Sequence, residues 1–150
     1  MSAGPGPAAP GSHSPQLATG MAKREAAARY LAIAVPANRR LDHDFDDGVN
    51  GADRENLAAA RADLRDAAAT ERRFDRLVLE LHLAPDTEAM ARRLVTANQS
   101  RARLTDMAAE ATSLPRLRAF EARLDGANVP VENAVRVIRA ELGLPAPESS

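Results

Sequence analysis

Apolar side chains recur at alternating steps of three and four residues through most of this chain, and that spacing constrains the fold more than any other feature. Ala27, Leu31, Ala34, Asn38, Leu41 and Phe45 keep it through a first helix expected over residues 21–47. Leu57, Ala60, Leu64, Ala67, Glu71, Phe74, Val78 and Leu81 keep it in a second, and Met90, Leu94, Ala97, Arg101, Leu104, Ala108 and Ala111 in a third. Leu117, Phe120, Leu124, Asn128, Val131, Val135, Ile138 and Leu142 complete the set. Steps of three and four return a side chain to one face of an α-helix, so each stripe predicts a helix with one apolar side.

The punctuation between stripes fits the same pattern. Gly48 and Gly51 end the first helix and Asp53 caps the second. Ala84, Pro85 and Asp86 interrupt the second stripe, with Asp86 or Thr87 as the next cap. Ser113 caps the fourth helix, whose first turn takes Pro115, and Gly143 with Pro145 stops it. Connections this short make neighbours antiparallel. The expected fold is therefore all-α, an up-down-up-down four-helix bundle about 40 Å long at 1.5 Å per residue. Pro36 and Pro130 lie inside the first and last helices, where each frees a carbonyl one turn earlier and kinks the helix. Asp125, Gly126 and Asn128 offer an alternative, a true break and a three-helix domain with a divided fourth element.

Composition narrows the functional classes. At 150 residues the chain is about one domain, large enough to bury a core without disulfides or metal. Much of its 45% apolar share is Ala, with three Phe, one Tyr and no Trp, which suits closely packed helices. Basic and acidic residues nearly cancel to −1 and alternate along the chain, so no basic face of the kind nucleic acid requires is expected. The absence of cysteine excludes thiolate catalysis and thiolate metal sites. No window has the ~20 apolar residues of a membrane span. Residues 1–20 are rich in Gly, Pro, Ala and Ser and read as a flexible tether, residues 21–143 as the bundle, and residues 144–150 as a disordered tail.

Two constellations stand out. Each helix sets one polar residue in its apolar stripe: Asn38, Glu71, Arg101 and Asn128. They form either a pocket for a small polar ligand or a hydrogen-bonded layer that fixes helix register, and the second is the more economical reading. The run Asp42, Asp44, Asp46, Asp47 before Gly48 resembles the start of a calcium loop, but its glycine is one position late and the twelfth position holds Asp53 instead of Glu. A solvated acidic helix end is expected in preference to a cation site. The His and Glu spacing of di-iron bundles, phosphate-binding glycine loops and nucleophile motifs are all missing. No catalytic residues, metal or cofactor are expected, and the chain reads as a non-enzymatic protein.

The segments 28–42 (ARYLAIAVPANRRLD) and 120–132 (FEARLDGANVPVE) resemble small uncharacterised lipoproteins of high-GC Gram-positive bacteria, a resemblance that extends over residues 26–145. In that family a lipidated cysteine precedes a tether similar to residues 2–7, and Met1 stands where the cysteine would be. The resemblance implies an extracytoplasmic protein of the cell envelope, held to the membrane only through a lost N-terminal lipid anchor, and it implies no activity. The function expected is binding of a protein partner or small polar ligand by the bundle. The alternative is a cytoplasmic helical adaptor or regulator.

Overall fold

The computed structural model describes the backbone of residues 8–147 and the side chains of residues 22–147. The chain forms α1 (Ala8–Asp42), a π-helical segment (His43–Ala52), α2 (Leu57–Leu79), α3 (Pro85–Ala109), a short α4 (Leu114–Arg118) and α5 (Glu121–Glu141). Among the described residues there is no strand. It is an all-α antiparallel bundle of four helical arms, with α4 and α5 sharing the fourth. Helix α3 packs between α2 and α5, and α1 lies against α2.

The apolar stripes supply the core. Tyr30 and Ala34 of α1, Phe74 and Val78 of α2, Leu94 of α3, and Val131 and Ile138 of α5 meet in one cluster, with Tyr30 edge-on to Phe74 at 6.3 Å. Ala60 and Leu64 of α2, Ala108 and Ala109 of α3, and Leu117 of α4 make a second cluster at the other end. Alanine dominates these contacts, which lets the helices approach closely.

Several boundaries differ from expectation. Helix α1 starts at Ala8, so its backbone runs through much of the stretch read as tether; residues 1–7 lie outside the described residues. The α-helix yields at Asp42 to the wider π turn, in which Asp53 N–H donates to Gly48 O at 3.0 Å, a five-residue bond. Gly51 breaks that turn at φ −113° and ψ −119°, where a Cβ would lie 2.6 Å from Asp46 O, so only glycine fits. The cap of α2 is consequently Asn56, not Asp53, and its side chain accepts from Ala59 N–H at 3.0 Å. Helix α3 begins at Pro85 with Ala84 as its cap, because proline fits the first turn and leaves Asp86 and Glu88 beside the N-terminal dipole. Ser113 caps α4 as expected, accepting from Arg116 N–H.

The fourth arm breaks at Ala119–Phe120, between α4 and α5, while α5 continues through Pro130. Pro130 and Gly126 are both exposed, so the carbonyl that the proline leaves free lies where water can reach it. The tail is pinned at its start: Leu144 N–H donates to Arg139 O at 2.8 Å, Gly143 adopts φ 71°, and Leu144 packs on the core. Residues 148–150 lie outside the described residues.

Candidate functional site

Three of the four expected layer residues meet. Arg101, on α3, donates through Nε to Glu71 Oε1 on α2, and through Nη1 to Asn128 Oδ1 on α5 at 3.0 Å. Glu71 is 1% exposed, and burial pushes its carboxyl pKa up while Arg101 pulls it down. Asn38 does not join them. It is exposed, because α1 turns Ala27, Tyr30 and Ala34 inward instead of Ala27, Leu31 and Ala34. A seven-residue repeat contains both sets, and the Tyr30 ring, with the larger apolar area, takes the core side.

Sequence spacing missed a second polar pair one turn from the first. Asn98 Nδ2 on α3 donates to Asp75 Oδ1 on α2 at 3.0 Å, and both residues are 4% exposed. Neither occupies a predicted stripe position; the signal was available only as i+4 from Glu71 and i−3 from Arg101. Burial is the main cause that raises the Asp75 carboxyl to about 7. The Asn98 bond, with Arg101 and Arg72, acts the other way, and Glu71 adds to the rise. Asp75 Oδ2, Asn98 Oδ1 and Glu71 Oε2 are buried without a hydrogen-bond partner.

The acidic run of the π segment is scattered. Asp42, Asp46 and Asp47 are exposed, as a solvated helix end requires. Asp44 is 4% exposed and lies beside Asp66 of α2, itself clamped by Arg40 at 2.6 and 2.7 Å. Desolvation and the neighbouring carboxylates raise Asp44 to about 7, while Arg40 and the neighbouring Asp44 hold Asp66 at about 2. At pH values between these two the pair favours a single proton, on Asp44, because Arg40 holds Asp66 ionised. Asp63 and Asp53 make a second carboxyl contact, with Asp63 raised to about 6 by desolvation and the Asp53 bond. Among the described residues no three His, Asp or Glu side chains are arranged to hold a metal ion.

The polar layer is largely buried, and the open feature lies outside it. Along the outer face of α2 and α3 runs a groove of about 640 Å³ bordered by Arg72, Arg76 and Arg103, with Asp75 at its floor and Glu80 at its edge. Leu79 and Gln99 are shared with an adjoining space of about 520 Å³ walled by Leu81, Leu83 and Val95 and edged by Glu88, Arg92 and Thr96. One end of the trough carries three arginines, and the other mixes leucine and valine side chains with the Arg92–Glu88 ion pair. Leu79, where the two ends join, is 53% exposed. Arg72 is paired with Asp106, whereas Arg76 makes no ion pair and Arg103 meets only Ser100 Oγ, at 3.4 Å, among the described residues. No helix of the described residues is long and apolar enough to cross a membrane.

No family model matches the chain, and no curated protein or solved structure matches it.

Proposed function

We propose that this is a non-enzymatic helical-bundle protein of the cell envelope, and that its α2/α3 trough docks an amphipathic, acidic segment of a partner protein. The observation that supports the reading is a juxtaposition in the trough: Arg76 and Arg103, outside any ion pair among the described residues, stand beside exposed Leu79 and the side chains of Leu81, Leu83 and Val95. A helix or extended segment with leucine-like anchors followed by Asp or Glu complements both halves, and grooves between packed helices recognise partners in this way. A protein segment suits the trough better than a small ligand suits the polar layer, because Arg101 already fills the space between Glu71 and Asn128. The two titratable residues of that layer, Glu71 and Arg101, are paired with each other, which argues against a catalytic role for them. The envelope assignment rests on the lipoprotein resemblance and on the Gly, Pro and Ala-rich residues 2–7.

Panning a displayed library of helical peptides on the intact protein tests the docking site. Enriched peptides should combine acidic residues with leucine-like anchors and lose at least tenfold in affinity against Arg76→Glu/Arg103→Glu. Binding that ignores this charge reversal, or cross-links that map to another face, would reject the trough. Fractionation of the native organism, with the reading frame upstream of Met1, tests the location: recovery in the cytosol with no upstream leader or cysteine supports the cytoplasmic adaptor instead.

A further inference from the structure

Asp75 and Asn98 already share one hydrogen bond, from Asn98 Nδ2 to Asp75 Oδ1 at 3.0 Å. The two atoms left over, Asp75 Oδ2 and Asn98 Oδ1, are both acceptors, and both are buried without a donor. Two orphaned acceptors on groups already in contact lack a single hydrogen. A carboxylic acid facing a carboxamide supplies it, because the acid O–H donates to the amide oxygen while the amide N–H donates to the acid carbonyl. We propose that Asp75 is held as the neutral acid and closes this two-bond ring with Asn98, making a proton-dependent latch between α2 and α3 at the floor of the trough.

The surroundings favour the proton. Glu71 lies one turn earlier on α2 and repels a second carboxylate, and Arg101 on α3 is committed to Glu71 and Asn128. Arg72 is engaged by Asp106, and the rim is completed by Arg76, Arg103 and Glu80. An ionised Asp75 would leave its own charge and the Asn98 oxygen unsatisfied in a dry interface, which costs more than holding the proton. Burial raises this carboxyl to about 7, so the latch opens close to neutral pH.

The latch also regulates the docking site, a consequence that rests on the docking reading above. Loss of the proton places a negative charge at the floor of the groove bordered by Arg76 and Arg103, where it competes with an acidic segment for those guanidinium groups. Docking should therefore weaken as pH rises through about 7.

The direct test is carboxyl 13C NMR of the intact protein, with Asp75 assigned through bonds so that no variant is needed. A midpoint near 7 is expected; a midpoint near the ordinary aspartate value of about 4 would overturn the latch. In Asp75→Asn the new amide can donate to Asn98 Oδ1 and accept from Asn98 Nδ2, so the ring survives at every pH. The unfolding constant of the native protein should rise relative to this variant by roughly tenfold per pH unit between about pH 5 and 7. An acidic peptide selected on the trough should lose at least threefold in affinity from pH 6 to 8 with the native protein and be unaffected in Asp75→Asn. A midpoint near 7 with affinity flat across pH would overturn the coupling to the trough. If peptides fail to bind at either pH, the docking reading falls while the NMR midpoint still decides the latch.

Discussion

Arg101 Nη1 donates to Asn128 Oδ1 at 3.0 Å, so the guanidinium that neutralises Glu71 also ties α3 to α5. One side chain thus bonds to both helices that flank its own. Its side chain is 15% exposed and that of Glu71 only 1%, so the two ends of the pair face different consequences when a partner is removed.

Arg101→Leu should cost about 3–5 kcal/mol, since it leaves Glu71 buried beside Asp75 without its paired cation. Glu71→Leu should cost less, because Arg101 can turn its charged head toward solvent. The double variant Glu71→Leu/Arg101→Leu should match or exceed the native stability, as apolar packing commonly replaces a buried ion pair without loss. Denaturant unfolding of all three checks the order. A double variant as unstable as Arg101→Leu alone would show that the layer itself supplies stability.

The Asp44 and Asp66 pair makes a separate prediction on pH. Asp44 in the folded protein titrates near 7, above its unfolded value of 3.8. The folded state therefore holds more protons between those values, and stability is complete below pH 4 for this group and lost as pH rises through 7. Asp66 acts oppositely and lower, contributing stability that is lost as pH falls through about 2. Asp44→Asn, which keeps a donor toward Asp66 without the charge, should gain on the order of 2 kcal/mol at pH 8 and little at pH 5. Thermal melts at the two pH values read the difference, and equal gains at both would reject proton sharing.

The fold was legible because the buried stripes of α2 and α5 are those the spacing names: Ala60, Leu64, Phe74 and Val78 on one, Val131 and Ile138 on the other. It was less legible in α3. That helix is covered on two sides, so Ala91, Val95, Asn98, Ala102 and Thr105 are buried beside Leu94 and Ala108, and a single stripe undercounts them. For α1 the repeat was right and its phase wrong, since alanine at 27 and 34 leaves the choice between the Tyr30 and Leu31 sides to the partner helices. Glu71, Arg101 and Asn128 were visible as polar residues on apolar stripes. The burial of Asp75 and Asp44 was not visible, because an aspartate off the stripe reads as solvated surface, and only the second covered face of α2 and the π turn at residues 43–52 bury them.

Calorimetric titration with calcium should give no saturable heat at millimolar ion. Asp42, Asp46 and Asp47 face solvent while Asp44 is engaged by Asp66, so the four carboxylates of the run do not converge as a calcium loop requires. Saturable binding that is abolished by Asp44→Asn would reverse this conclusion.

Gly126 should be replaceable with profit. It sits in the sixth position of α5, its backbone is not at positive φ, and a Cβ built there meets nothing within 4 Å. Glycine within a helix costs roughly 0.5–1 kcal/mol relative to alanine, mainly because the unfolded chain is freer. Gly126→Ala should therefore stabilise the protein by about that amount, measured as a higher denaturant midpoint at unchanged slope. The position is one turn before Pro130, so the result also reports on the helix itself: if α5 were broken between Gly126 and Pro130, the alanine would bring no gain, and a lower midpoint would mean that glycine is needed there for a turn.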